Sequence, residues 1–335
     1  MIHNSQTSPT SLDVVGIGNA IVDILSYTTD LFLESNLLKK GNMTLINEAQ
    51  AEKIYSSMGP SIESSGGSVA NTLAGIAQLG GNTGFIGRVR NDKLGDIFTR
   101  EIINSGTFFK PDPIIKGPST ARCLILVTPD AERTMCTYLG ASVLIEPKDL
   151  DISIIKNAKI LYLEGYLFDN ESAKNTFYTA SKVSKESNTK VALSLSDSFC
   201  VKRHRQDFLE LINNHIDILF ANESEIIALF ESPNLEAALN ELSGKCDLSA
   251  ITCGENGSII LTKEDKFKIN SYNLGKVIDT TGAGDLFASG FLYGYLNNKN
   301  LITCGKIGSI CAGKIITQLG SRSQVPLKDL IKIHL

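Results

Sequence analysis

Asp279-Thr-Thr-Gly-Ala-Gly-Asp285, running directly into the apolar stretch Leu286 to Leu296, is the most informative segment of the chain. Gly282-Ala283-Gly284 lets the backbone turn tightly into a helix start. Such a start presents unpaired N–H groups and about half a positive charge, which together bind phosphate readily. A carboxylate at the same end, Asp285, is out of place in a pure anion site. It fits a reaction in which a hydroxyl loses its proton beside a phosphoryl group: the carboxylate takes the proton and the N–H groups hold the charge on the phosphate. Taken alone, the segment also reads as an N-cap behind a glycine turn. It is not a Walker A loop, because no G-x-x-x-x-G-K-[ST] occurs in the chain.

Working outward, four further segments carry chemistry. Ser65-Gly-Gly-Ser-Val-Ala-Asn71 opens a helix that continues through Leu79 and ends at Gly80-Gly81. The paired glycines permit close backbone approach to a ligand, and Asn71 offers the donor and acceptor that suit a vicinal diol; a plain loop with a helical Asn is the alternative. Gly16-Ile-Gly-Asn-Ala-Ile-Val-Asp23 suggests a dinucleotide fingerprint, but Ile21 stands where the third glycine is required, so a dehydrogenase is disfavoured. Asp23, after a strand, accepts hydrogen bonds from two hydroxyls or is a solvated loop residue. Asn222-Glu-Ser-Glu225 follows the strand Ile218 to Phe220: Asn222 touches phosphate and a carboxylate holds Mg²⁺ through water, or the acids simply favour a helix dipole. Thr252-Cys-Gly-Glu-Asn-Gly257 links two strands, as a glycine hairpin or as the floor for a nucleotide base.

The chain around these segments alternates strands with helices. Strand-like runs at Val14–Gly18, Thr83–Ile86, Ile160–Leu163, Val191–Leu195, Ile218–Phe220, Ala250–Thr252 and Ser258–Leu261 are interleaved with helical patterns at Ser68–Leu79, Asp92–Ser105, Glu171–Lys185, Gln206–Asn214, Asp285–Leu296 and Cys304–Gln318. That order predicts βαβ units and a mainly parallel sheet. Two stretches break the alternation. Ile21 to Ile46 is loop-like with β-like pieces at Ile21–Tyr27 and Met43–Ile46, and Arg122 to Tyr138 reads as a hairpin. Both are expected in a small β-layer over the carboxyl ends of the parallel strands, where α/β proteins bind ligands and where a lid excludes water.

Composition narrows the function classes. The 335 residues carry 32 basic and 36 acidic side chains, a net charge of −4, which disfavours general affinity for nucleic acid or an anionic membrane. No 18-residue apolar run predicts a transmembrane helix, and the polar stretch Met1 to Leu12 lacks the apolar core of a secretory signal. Seven cysteines with no Cys-x-x-Cys pair, and four scattered histidines, predict neither a disulfide framework nor a zinc site and point to a reducing cytoplasm.

Together, in this order and spacing, the segments resemble the ribokinase/PfkB family of carbohydrate and nucleoside kinases, from about Val14 to Pro326, with Gly66–Gly81 and Asp279–Phe287 as the two signature regions. Within the family the chain is most similar to the adenosine kinase branch, through Gly16–Ile24, Tyr162–Phe168 and the stretch from Leu193 to Glu225. The resemblance implies a ribokinase-like α/β fold: a large domain with a mainly parallel sheet flanked by helices, and a small β-sheet lid. The chain then divides into an N-terminal tail (1–12), a large nucleotide-binding and catalytic domain (13–20, 51–108 and 142–335) and the lid (21–50 and 109–141). It implies ATP-dependent phosphorylation of the 5′-hydroxyl of adenosine to AMP, with Asp285 as general base, Gly282, Ala283 and Gly284 as the anion hole, and Arg133 of the lid on the phosphates. Asp23, Gly67 and Asn71 would hold the ribose. The branch often stacks the base on a phenylalanine after the central strand; here Glu164-Gly165-Tyr166 stands instead, with Tyr166 available to stack. Asn222, Thr252, Gly254 and Gly257 would serve ATP, Glu225 would hold Mg²⁺ through water, and Asp279 with the Thr281 carbonyl match positions that hold a monovalent cation such as K⁺ in some members. A kinase for ribose, fructose or another small sugar, and an inactive ligand-binding module on the same fold, are the alternatives. The partner is a small nucleoside or sugar rather than nucleic acid or membrane, and the protein is a monomer or a homodimer paired through the lid.

Overall fold

A computed structural model describes residues 9–130 and 132–335; the first eight positions of the expected tail lie outside the described residues. The strands fall into two sheets. The larger contains β1 (Leu12–Ile17), β5 (Thr83–Ile86), β6 (Thr107–Phe108), β9 (Ala158–Glu164), β10 (Lys190–Ser194), β11 (Ile218–Asn222), β12 (Leu248–Thr252), β13 (Ser258–Thr262) and β14 (Lys266–Ile269). Their order is β14-β13-β12-β11-β10-β9-β1-β5-β6. The seven strands from β12 to β6 pair in parallel, and the edge pairs β12–β13 and β13–β14 are antiparallel, so β13 alone runs against the rest. Central strands read as near-continuous apolar runs because helices cover both faces: in β9 every residue but Lys159 is buried.

The second sheet contains β2 (Ile21–Tyr27), β3 (Met43–Leu45), β4 (Ser61–Gly66), β7 (Ala121–Val127) and β8 (Arg133–Tyr138), in the order β3-β8-β7-β2-β4. The hairpin expected between Arg122 and Tyr138 is present as the antiparallel pair β7–β8. The expected division needs two corrections. β1 begins at Leu12, so the last residue assigned to the tail is in the central sheet. β4, assigned to the large domain, is an edge strand of the small sheet, paired antiparallel to β2. Its sequence, Ser-Ile-Glu-Ser-Ser-Gly, is polar because only its last two residues are buried.

The small sheet does not stand alone. One face, carrying Val22, Ile24, Leu124, Leu126 and Cys136, packs into the same apolar core as Val69, Leu73 and Phe85, together with Leu33 and Ile54. Leu33 and Ile54 belong to the short helices Asp30–Ser35 and Glu48–Ser57, which cover the back of the sheet. The opposite face is left to the functional site.

Candidate active site

Two surfaces enclose a cavity of about 510 Å³. The first is the carboxyl edge of the parallel sheet. Glu164, Ser194, Asn222 and Thr252, the last residues of β9, β10, β11 and β12, all line it. This is where parallel strands end and helices begin, the standard location of ligands in open α/β sheets. The second surface is the inner face of the small sheet. Side chains alternate along a strand, and the alternating set Ile21 and Asp23, Cys123 and Ile125, Met135 and Thr137, Met43 and Leu45 faces the cavity.

Asp285 lies between these surfaces in the first turn of the helix Ala283–Leu296. Its Oδ1 accepts a hydrogen bond from Ser68 Oγ (2.6 Å) and its Oδ2 from Asn71 Nδ2 (2.9 Å). Both donors come from the helix Ser68–Leu79, where a three-residue spacing places them on one face. Burial pushes the Asp285 carboxyl up from its ordinary 3.8 to about 6, against the pull of Ser68, Asn71 and the Arg322 guanidinium. Asp23, across the cavity on β2, is also raised to about 6 by burial, partly offset by Arg322 and Arg133. Gly282, at φ +78°, turns the chain into the helix with no side-chain cap. Ala283 N–H donates to the Thr280 carbonyl at 3.2 Å, which narrows the expected three-residue cradle to the donors of Gly282 and Gly284.

The structure thus brings together Asp23, Gly67, Asn71, Tyr166, Asn222, Glu225, Thr252, Thr281, Gly282, Ala283, Gly284 and Asp285 around one cavity. Other expected residues are placed differently. Gly254 and Gly257 do not line it: they close the tight turn between β12 and β13, with φ +57° and +84°. Both oxygens of Glu225 are taken by Asn222, from its backbone N–H (2.9 Å) and Nδ2 (2.6 Å). Asn222 Oδ1 accepts from Glu225 N–H in return, a capping box at the start of the helix Glu223–Phe230. Glu225 therefore fixes Asn222, and each of its oxygens keeps a lone pair through which only a water could link it to a metal ion. Among the described residues no group of three or more His, Cys, Asp or Glu is placed to hold a metal ion.

Arg133 reaches across from the lid but pairs with the Asp279 carboxylate and donates from Nη1 to Thr281 Oγ1 at 2.7 Å. Asp279 is almost fully buried and also accepts from Thr281 N–H (2.9 Å) and Gly320 N–H (2.8 Å). A guanidinium thus occupies the carboxylate that the resemblance assigned to a monovalent cation, and the two do not fit together. Arg133 Nε and Nη2 are buried without a protein acceptor. Such orphaned donors beside a helix start suit phosphate oxygens.

Three features escaped the sequence reading. Ser68 could have been found from its spacing with Asn71. Glu164, noted only as a departure, is buried and accepts from Asn19 N–H (3.3 Å), Asn19 Nδ2 (2.7 Å) and Val69 N–H (2.9 Å), tying β9 to the loop after β1 and to the helix start at Ser68. Burial raises it to about 7. Arg322 carried no local signal at all.

A carboxylate at a helix start, under a small β-sheet on the carboxyl edge of a parallel sheet, is the arrangement expected of a small-molecule kinase of ribokinase-like fold. Residues 61–328 match the pfkB family carbohydrate kinase, and the chain belongs to that family of phosphotransferases. Two solved structures share its fold at a TM-score of 0.90 and 44% identity. One is adenosine kinase from Sinorhizobium meliloti, covering 97% of this chain and 100% of that one; the other is a probable sugar kinase protein from Rhizobium etli CFN 42, covering 97% and 99%. Probable fructokinase-6, chloroplastic, of Arabidopsis thaliana is 30% identical over 253 residues, and the match spans 71% of this chain and 64% of that protein.

Proposed function

We propose that the protein transfers the γ-phosphoryl group of ATP to the 5′-hydroxyl of adenosine, giving AMP and ADP. The observation that carries the reading is the two-sided cavity. Its polar floor joins Asn71 and Asp285 with Asp23, which reaches it from β2 of the lid, and the rest of the lid wall is mainly apolar, with Ile21, Met43, Leu45, Ile125, Met135 and Leu139. A nucleoside has both characters, a ribose for the floor and a flat base for the wall. A free sugar is polar on every side and leaves the wall without a partner, which costs affinity in proportion to the apolar area left wet. The 44% identity to an adenosine kinase is equalled by that to a probable sugar kinase protein, so the cavity and not the likeness carries the reading.

In the proposed reaction Asp285 accepts the 5′-hydroxyl proton as the hydroxyl oxygen attacks the γ-phosphorus in line. The bond from phosphorus to the ADP oxygen breaks, and the bond to the 5′-oxygen forms. Gly282 and Gly284 N–H groups and the positive end of the helix Ala283–Leu296 stabilise the charge on the transferring group. Asp23 and Asn71 orient the ribose, Tyr166 lies against the base, Asn222 and Thr252 border the donor, and the unpaired Arg133 nitrogens face the phosphates once the lid is shut. The Mg²⁺ that accompanies ATP would be held by the phosphates and water, with Glu225 linked to it through water while fixing Asn222. Seven free cysteines support action in a reducing cytoplasm.

A sugar acceptor is the second reading, favoured by the 30% identity to a probable fructokinase. Purified protein, Mg-ATP and a panel of adenosine, other nucleosides, ribose and fructose separate the two. AMP from adenosine with inert sugars is expected. A sugar phosphate with adenosine inert moves the acceptor to the second reading and leaves Asp285 and the glycine cradle in place.

A further inference from the structure

The turn after the last long helix, residues 318–324, touches the loop before Gly282, Gly282 itself and the Ser65–Ala70 segment without lining the cavity. Gly320 N–H donates to Asp279 Oδ2 at 2.8 Å, on the loop that leads into the anion cradle. Ser321 packs against Gly282 so closely that a Cβ on that glycine would lie 2.8 Å from the Ser321 Cβ. Arg322 reaches the other way. Its Nη1 donates to the Ala70 carbonyl (2.8 Å), its Nε and Nη2 to the Ser65 carbonyl (3.3 and 3.2 Å), and Nη2 also to Ser65 Oγ (3.1 Å). The turn is braced internally by Gln318, whose Nε2 donates to the Arg322 carbonyl (2.7 Å) and whose Oε1 accepts from Gln324 N–H (3.2 Å).

We infer that Arg322 is a positioning residue for the phosphoryl acceptor, clamping the two ends of the Ser65–Ala70 loop to the turn that backs the anion cradle. Between those ends lie Gly67, which borders the cavity, and Ser68, which with the following Asn71 holds the Asp285 carboxylate. Arg322 bonds to backbone carbonyls, so its fork fixes where Ser68 and Asn71 stand relative to Asp285 and Asp23. A planar fork spanning two carbonyls does what a single ammonium cannot. Its charge acts too. The groups that bear on Asp285 are Ser68 and Asn71 from the helix Ser68–Leu79, Asp23 from β2, Tyr162 and Glu164 from β9, Tyr166 beyond it, and Arg322 as the one cation among them.

The inference rests on Asp285 as the base, and two variants of the full chain test it, each checked first for an unchanged circular-dichroism spectrum. Arg322→Lys keeps the charge and loses the fork; Arg322→Gln loses both. Both are expected to raise the acceptor KM by about tenfold or more while moving the ATP KM little, since a displaced acceptor loop loses alignment rather than donor contacts. In protein free of substrate, with ¹³C-labelled Asp carboxyls assigned through Asp285→Asn, the Asp285 titration is expected to move to higher pH in Arg322→Gln and to stay in Arg322→Lys. Unchanged acceptor KM together with an unchanged titration in folded Arg322→Gln overturns the inference. The KM is read on whichever acceptor the panel turns over. If none is turned over, the proposed function fails and the titration alone decides the role of Arg322. If Arg322→Gln does not fold, the acceptor KM of Arg322→Lys decides: a wild-type value overturns the inference.

Discussion

At the scale of single residues, the proposed transfer depends on a carboxylate kept at the edge of ionisation. Asp285 must be charged to accept a proton, and burial makes charging harder, so its pKa of about 6 leaves it ionised at pH 7 yet basic enough to take the proton. Activity limited by this group falls as pH drops through about 6, because the protonated acid can no longer act as base. Replacing Asp285 by Asn keeps the shape and removes the base; the expected loss in kcat is ~10²–10⁴-fold. Steady-state kinetics beside a thermal melt checks it, and near-wild-type kcat would remove Asp285 from the role. Legibility was uneven here. Asp285, Asn71 and Asp23 stand in short motifs whose chemistry is local, so spacing exposed them. Arg322 makes its contacts with residues about 250 positions away, and no sequence window contains both ends of such a contact.

Among the elements, the helices Ser68–Leu79 and Ala283–Leu296 meet face to face and carry between them the groups proposed for catalysis. The first was legible to the residue, because an apolar 3.6-residue period ends at Gly80, whose left-handed φ of +100° closes it. Polar edge strands such as β4 were not, since a strand buried at one end shows no alternation. The short helix Asp30–Ser35 lay hidden in the stretch Ile21–Ile46 read as loop-like, and Glu48–Ser57 just beyond it gave no signal, because each buries only one or two residues. Gly67 caps the helix Ser68–Leu79 at φ +95°, with space for a Cβ blocked by the Asn19 carbonyl at 2.4 Å. Gly67→Ala is expected to cost about 2 kcal/mol or more from backbone strain and this clash. It should lower the melting temperature by several degrees and raise the acceptor KM; an unchanged melt would show that the loop relaxes freely. The lid strand β8 supplies a second element-level expectation. Arg133 already neutralises Asp279, so K⁺ has no carboxylate to claim there. Turnover and melting temperature are both expected to be flat when K⁺ replaces tetramethylammonium at constant ionic strength. A rise in either with K⁺ would mean that the ion displaces the guanidinium or binds elsewhere.

For the whole molecule, the same burial that tunes the site sets how stability varies with pH. Two almost fully buried carboxyls, Glu164 and Glu225, are raised from an ordinary 4.5 to about 7 by burial, and Asp23 and Asp285 are raised to about 6. A raised carboxyl binds its proton more tightly in the folded state than in the unfolded one. Its stabilisation is therefore fully present below the unfolded pKa and is lost as pH rises through the folded value. The lowered carboxyls, Glu48, Glu63, Asp130, Glu146 and Asp169, work in the opposite sense, but they change only below about pH 4.5 and are constant at neutral pH. His215, held below its ordinary 6.5 by burial, opposes the raised acids only toward the acid end. Between pH 6 and pH 8 the raised acids dominate, and the melting temperature is expected to fall across that interval. Glu225 offers the clean test, because its partners are the backbone and side chain of one residue, Asn222, and Gln can still accept the backbone hydrogen bond. Each full pKa unit corresponds to about 1.4 kcal/mol, so Glu225→Gln should flatten the fall by a measurable amount and leave the protein relatively more stable at pH 8 than at pH 6. Melting curves of the two proteins at both pH values decide it: parallel pH dependence would mean that Glu225 ionises as readily in the folded protein as in the unfolded chain.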